Sequence, residues 1–308
     1  MRREHILPRE RWLVALLLLP SIAMQCSAAI FGIGPYEEVD PATVEPFDVS
    51  DQPTGRYRSI DGTGNHRTHF NLGAADTPLA RLAFTDYDDG IGSMTAADRP
   101  SAREISNALC ADTRGAVNQL GASDMLWQWG QFVDHDIDLT DAQDPPEPAP
   151  IPVPLGDPWF DPGNTGVATI ELSRSNYHHG TGQDPAYPRQ QINQITHFVD
   201  ASNVYGSDDL RAAALRTNDG TGRLLVSIGN LLPFNTAGLP NAGGEGPELF
   251  LAGDIRANEQ VGLTALHTLF VREHNRLAAD IALNDPSLSG EEIYQEARLW
   301  VGALMQVI

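Results

Sequence analysis

Cysteine is nearly absent: the 308-residue chain carries only Cys26 and Cys110. A disulfide framework of the kind that staples small secreted domains is therefore excluded. Positive charge is scarce as well. Twenty Lys and Arg stand against 41 Asp and Glu, a formal net charge of −21. So acidic a surface repels nucleic acid and anionic lipid, and suits metal cations. The longest apolar run, "WLVALLLLPSIAM", is too short to span a bilayer comfortably. No internal repeat is visible. Hydrophobic residues make up 41% of the chain, enough for a real core in one large domain or two small ones.

The N-terminus reads as a secretory signal over residues 1–29. "MRREHILPRER" is basic, the apolar run follows, and "QCSAA" offers small residues for cleavage near Ala28 or Ala29. A lipid anchor on Cys26 stays open, although Met24 and Gln25 suit it poorly. The expected location is extracellular or periplasmic, with no integral membrane segment after cleavage. If Cys26 leaves with the signal, one thiol remains, and core and ligand must hold the fold.

Residues 30–55 are acidic and Pro-containing and read as an irregular leader. "YRSIDGTGNH" (57–66) is rich in turn residues. Residues 101–122 read as a polar, mostly irregular approach to the first strong helix. That helix is expected from an N-cap at Ser123 to about Leu139. "DAQDPPEPAPIPVPLGDPWFDPGN" then breaks regular structure and predicts a long surface loop or linker. A short helix is expected near 208–216. From Asn258 to Asn284, Leu263, Leu266, Phe270, Val271, Leu277 and Ile281 recur at helical spacing. "SGEEIYQEARLWVGALMQVI" opens with a capping-box pattern, Ser289 and Glu292. Its apolar residues Ile293, Trp300, Val301, Leu304 and Ile308 continue to the last residue with no stop signal. The expectation is the front part of a longer protein; a helix that docks its end into the core is the alternative.

"QWGQFVDHDIDLT" (128–140) surrounds one imidazole, His135, with Asp134, Asp136 and Asp138. On a helix Gln131 and His135 share a face with Asp134 beside them, while Asp136 turns away by about 100°. An EF-hand is excluded, because Leu139 stands where that loop needs Gly and Pro145 where it needs Glu. A second polar set, Thr196, Phe198, Asp200 and Ser202, is spaced by two. Its hydroxyls, carbonyls and carboxylate, with Asp136, could supply the hard oxygens Ca²⁺ takes; from spacing alone an Asx-type turn leading into "VYGS" is the simpler explanation. Arg256 and Glu259 in "LAGDIRANEQ" could simply pair with Asp254 and favour a helix dipole. His267 and His274 read as polar core residues, and His178–His179 as a solvated loop.

Taken together and in order, "WQWGQFVDHDIDLT", "ITHFVDASNVYGS", "LAGDIRANEQ" and "LHTLFVREHNRLA" resemble the animal-type haem peroxidases of the peroxidase–cyclooxygenase superfamily. "YRSIDGTGNH" and "YQEARLWVGALMQVI" look like its flanking segments, so the likeness covers residues 56–308. It implies a mainly α-helical domain with long irregular loops and few strands, incomplete at its C-terminus. It implies a secreted haem peroxidase that reduces hydrogen peroxide and oxidises halide, thiocyanate, phenolic or similar donors. His135 matches the distal acid–base residue, Arg256 the distal arginine, and Gln131 a glutamine that bonds distal water or halide. Asp134 and Glu259 match carboxylates that can form ester bonds to haem b. Asp136, Thr196, Phe198 (by its carbonyl), Asp200 and Ser202 match the Ca²⁺ ligands. Asp138 has no assigned role and is expected to be solvated.

Three departures qualify the resemblance. Gln260 stands where some members carry a haem-linked methionine. The disulfides of animal members are absent. None of the nine histidines sits in the family's proximal-histidine context, so the chain alone is expected to be a weak or inactive peroxidase. Two further readings compete: a fatty-acid oxygenase of the same superfamily, and a non-catalytic secreted calcium-binding scaffold. The electron donor and the oligomeric state are not set by the sequence.

Overall fold

The computed structural model describes residues 55–308 apart from 80, 82, 96–98, 112–114 and 116. The expected signal segment, Cys26 and nearly all of the 30–55 leader lie outside the described residues. In chain order the elements are β1 (Thr77–Pro78), α1 (Ala102–Cys110), α2 (Met125–Ile137), β2 (Ile151–Pro152), β3 (Thr169–Ile170), β4 (Ile192–Asn193), α3 (Ser202–Tyr205), α4 (Asp209–Ala214), α5 (Val261–Asn284) and α6 (Gly290–Val307). The described part is mainly helical with few strands, as expected. Two antiparallel pairs, β1 with β4 and β2 with β3, are its only sheets among the described residues.

Several boundaries differ from the sequence reading. Residues 102–110 form a helix rather than an irregular approach. Ser101 caps it by accepting from the Glu104 N–H at 3.1 Å. The helix carries Ile105, Ala108 and Leu109 on one face but buries none of its residues. Arg103 and Asn107 instead tie it to the buried carboxylate of Asp157, at 2.6 and 2.8 Å. α2 starts after Asp124, which makes no side-chain cap, so the expected cap at Ser123 is corrected. The Pro-rich stretch is no free linker. The residues between its prolines donate to a partner ribbon: Gln143 N to Arg174 O, Ala149 N to Leu172 O, Val153 N to Ala168 O. Proline lacks only the donor, so alternating it with donors still allows a ladder.

The C-terminal end of α2 is closed by Asn193, fully buried in β4. Its amide donates to Ile137 O at 2.7 Å and accepts from Leu139 N at 2.7 Å. α2 therefore stops at Ile137 rather than Leu139. The core lies where α5 meets α2, α3 and α6. Leu263, Phe270 and Val271 pack with Phe132, Val204, Tyr205, Tyr294 and Val301. Phe132 stacks on Phe270 with ring centroids 5.1 Å apart. Burying each such side chain stabilises the fold by roughly 1.5–3 kcal/mol. The capping box of α6 is present, with Ser289 and Glu292 bonded reciprocally. The same helix turns Ile293, Ala297, Val301 and Met305 inward and leaves Trp300 and Leu304 exposed. α4 begins at Asp208, whose carboxylate caps it.

His267 and His274 are core residues, as the spacing suggested. His274 joins Tyr205 Oη to Gly222 O, each at 2.9 Å. His267 has no hydrogen-bond partner among the described residues and lies edge-on to Phe132. Burial is the main cause that lowers both imidazoles to about 4. Gly253 marks the closest packing. A Cβ there would meet the amide nitrogens of Tyr205 and Gly206 at 2.5 Å, and Ser202 O closer still.

Two expectations follow from this packing. A buried neutral imidazole binds fewer protons than an unfolded one with a pKa near 6.5. Its stabilisation is complete above that pH and is lost as pH falls toward 4, on the order of 2 kcal/mol between pH 7 and pH 5. His267→Leu should therefore shrink the loss of urea stability over that interval; an unchanged loss would clear His267 as the acid-labile group. Gly253→Ala should destabilise by about 1–3 kcal/mol through backbone displacement, read as a lower urea midpoint. A midpoint equal to wild type would refute the close approach.

Candidate active site

The site is built from the last turns of α2 and the 254–260 segment that precedes α5. His135 is buried, with Nδ1 3.6 Å from Asp254 Oδ1 and Nε2 4.0 Å from Glu259 Oε2. Gln131, one turn earlier, donates its amide to Glu259 Oε2 at 3.0 Å. Gln131 and His135 thus share one edge of the helix, as their spacing implied, and Glu259 from the 254–260 segment meets them there. Asp134, adjacent on α2, is exposed. Glu259 is not in the first turn of α5, which begins two residues later.

Arg256 pairs with Asp254 through two parallel bonds, Nε at 2.9 Å and Nη2 at 2.8 Å. Its Nη2 also donates to Asp138 O at 2.7 Å. The guanidinium thereby sits against the carbonyl end of α2, where a cation is favoured. Its Nη1 has no hydrogen bond among the described residues. Asp138 is exposed, as expected, and contributes its carbonyl rather than its carboxylate. Burial lowers the pKa of His135, and the charge of Arg256 lowers it further; Asp254, Glu259 and Asp134 pull the other way. The imidazole is thus held mainly neutral near pH 7.

The second set gathers around Asp136, which is fully buried. Its Oδ2 accepts from the Asp200 and Ala201 amides, and its Oδ1 from the Asn203 amide and Ser202 Oγ, all at 3.0 Å. Asp200 accepts from Thr196 Oγ1 and from Ser202 N through its Oδ1. Phe198 lies in the same turn. The geometry is a chain of bends ending in α3. Ala201 adopts a left-handed backbone with φ 67°, which lets successive amides point at one carboxylate. Burial and the charge of Asp200 push Asp136 up to about 7 against the pull of those donors. Burial raises Asp200 too, opposed by Arg58 and Arg298.

Two adjacent buried carboxylates, two hydroxyls and an unpartnered Asp200 Oδ2 form an all-oxygen donor set. Such a set fits a hard cation of the Ca²⁺ kind. No group of three or more His, Cys, Asp and Glu side chains placed to hold a metal ion is found among the described residues.

Four residues here were not singled out from the sequence as site residues. Asp254 touches both Arg256 and faces His135. Gln260 caps α5 by accepting from Gly262 N at 2.7 Å, and donates to Gln128 and to Gln131 Oε1. The amide of Gln131 is therefore oriented with its nitrogen toward Glu259. Asn203 donates its side-chain amide to Phe132 O at 2.7 Å, and Asn193 closes α2. Only Asp254 had a local signal, its i,i+2 spacing from Arg256.

Comparison with known proteins now bears on this arrangement. Peroxidasin of Drosophila melanogaster is 36% identical over 290 residues, covering 82% of this chain and 19% of that protein. Myeloperoxidase of Mus musculus is 36% identical over 308 residues, covering 84% of this chain and 41% of that protein. The chain thus spans less than half the length of these relatives. Among solved structures, peroxidase A from Dictyostelium discoideum aligns with a TM-score of 0.71 at 28% identity, covering 83% of this chain and 52% of the other. The fatty acid alpha-dioxygenase of Oryza sativa aligns at 0.60 and 23% identity, over 81% and 37%; that likeness concerns the fold alone. The sequence pattern of the family described as animal haem peroxidase matches residues 57–308. A single family pattern therefore takes in α2, the 196–202 turn and the 254–260 segment, and the chain belongs to the animal haem peroxidase family.

Proposed function

We propose that this chain forms the distal side of a secreted haem peroxidase, which reduces hydrogen peroxide and oxidises halide, thiocyanate, phenolic or similar small donors. The observation that carries the reading is the meeting of His135, Gln131, Glu259 and Arg256 at one end of α2, with His135 Nε2 toward the exposed edge. The residues suit haem: a neutral imidazole, a guanidinium with a free Nη1, and two exposed carboxylates, Asp134 and Glu259. Those carboxylates are the candidates for ester bonds to haem methyl groups. Bound haem would supply the iron that takes up peroxide and would relay the oxidising equivalents of peroxide to the donor.

The protein's own part is proton handling and charge. His135 Nε2 takes a proton from peroxide and returns it to the departing oxygen, which leaves as water; a near-neutral base suits both steps. Arg256 Nη1 donates toward the charge that develops as the O–O bond breaks. Gln131, held by Gln260, presents its amide toward the same edge and orders water or halide there. Gln260 offers no thioether, so a sulfur link to haem is not part of this proposal. The basic, then apolar, then small-residue pattern of residues 1–29 supports export. No helix among the described residues is long and apolar enough to cross a membrane.

Haemin titration should give a strong Soret band. His135→Ala should slow the reaction with peroxide by about 10²–10⁴-fold, measured by stopped-flow. No Soret band in a folded chain that still binds calcium would favour the scaffold reading instead.

We further propose Ca²⁺ at Asp136, Thr196, the Phe198 carbonyl, Asp200 and Ser202. A dication there holds both carboxylates ionised and fixes the end of α2 that carries His135. Saturating Ca²⁺, at about 100 times Kd, should stabilise the fold by about 2.7 kcal/mol, and chelation should disturb the haem spectrum. Unchanged melting and an unchanged spectrum, in protein shown by elemental analysis to be calcium-free, would count against the site.

A further inference from the structure

We infer that Asp254 is a positioning residue that sets the tautomer of His135 and the place of Arg256 with one carboxylate; the inference rests on the peroxidase reading for its kinetic consequence. Three observations support it. The Asp254 side chain is 1% exposed, so its charge needs fixed partners. Arg256 supplies them with two side-chain bonds and its own backbone N–H, which donates to Asp254 Oδ1 at 2.8 Å. The same Oδ1 lies 3.6 Å from His135 Nδ1, a buried nitrogen with no other partner among the described residues.

A separation of 3.6 Å is not yet a hydrogen bond. Closing it takes a shift of less than about 1 Å, and catalytic bonds of this kind often tighten only when the site is filled. Once closed, it has one chemical sense. A carboxylate can only accept, so Nδ1 carries the hydrogen and Nε2 keeps its lone pair. That lone pair is on the Glu259 side, 4.0 Å from Oε2, where peroxide must be met. The opposite tautomer would put a hydrogen on the atom that has to take one.

The mounting of Asp254 is also fixed. Its backbone N–H donates to Asn203 O at 2.9 Å. Asn203 in turn donates to Asp136 Oδ1 and to Phe132 O, both on α2. The carboxylate and the imidazole it faces are thus carried on two segments bonded through one residue. Gly253, which admits no side chain, lets the segment come that close. Of the other charges around His135, Glu259 faces Nε2 and pulls toward the opposite tautomer, but it is farther, at 4.0 against 3.6 Å, and exposed; Arg256 is a cation, and Asp134 is exposed.

The test is a long-range ¹⁵N–¹H spectrum of the whole chain labelled at histidine, recorded at alkaline pH. The His135 signal is identified by its loss in His135→Gln. The Nδ1–H tautomer is expected in the wild-type chain, and loss of that preference in Asp254→Asn. In haem-loaded protein, Asp254→Asn should lower the rate constant for peroxide by on the order of 100-fold and leave KM for the donor unchanged. An Nε2–H tautomer in the wild type overturns the inference, as does an Asp254→Asn variant within threefold of the wild-type rate. Should that variant not fold, the wild-type spectrum alone decides. An Nδ1–H tautomer in a chain that reduces no peroxide supports the positioning role and sinks the activity.

Discussion

One carboxylate organises the site. Asp136 gathers three backbone amides and a hydroxyl from residues 200–203, and so pins the end of α2 to the start of α3. Everything near His135 hangs from that attachment. Asn203 joins it to Asp254, Asp254 holds Arg256, and Arg256 returns to the carbonyls at the end of α2. The loop of contacts closes on itself, so no member can shift alone. Burying two carboxylates side by side is unfavourable, the charges of Arg58 and Arg298 offset it only in part, and the raised pKa of Asp136 expresses that tension. A cation at this point would relieve it and stiffen the catalytic end of the helix together.

Arginine is the only cationic side chain that carries a fixed charge here, because the sequence contains no lysine. The planar fork of the guanidinium suits pairing with carboxylates and carbonyls through several bonds. Arg103 takes both oxygens of Asp157, Arg256 both oxygens of Asp254, and Arg298 the carbonyls of Arg58 and Ser59. With acidic residues in twofold excess, these three arginines serve as internal connectors.

Long periodic elements were legible in the sequence. α5, α6 with its capping box, and the body of α2 all follow from apolar spacing and cap residues. α1 was not: its apolar stripe is a single short run that stays exposed, and the helix is held by Asp157, 50 residues beyond Asn107. The ladder of the Pro-rich stretch was hidden because proline content reports missing donors, not the partners of the donors between them. At the site, helical spacing placed Gln131 and His135 correctly on one edge and turned Asp136 away from it. The convergence of Arg256 and Glu259 on that edge is a tertiary fact that no local pattern contains. Gln260, Asn203 and Asn193 are ordinary amides in the sequence; only burial and partner geometry make them connectors.

The attachment at Asp136 also has a topological meaning. It joins residues 64 to 67 positions apart, and the whole excursion between them, with the β2–β3 ribbon, leaves and returns at the same place. Lengthening such a loop is inexpensive, about 0.6 kcal/mol for each doubling. The part of the excursion between Leu139 and Asn193 can therefore be shortened, extended or recomposed while the imidazole at its root stays where it is. That insulation lets the outer surface, and whatever it meets, diverge independently of the chemistry beneath.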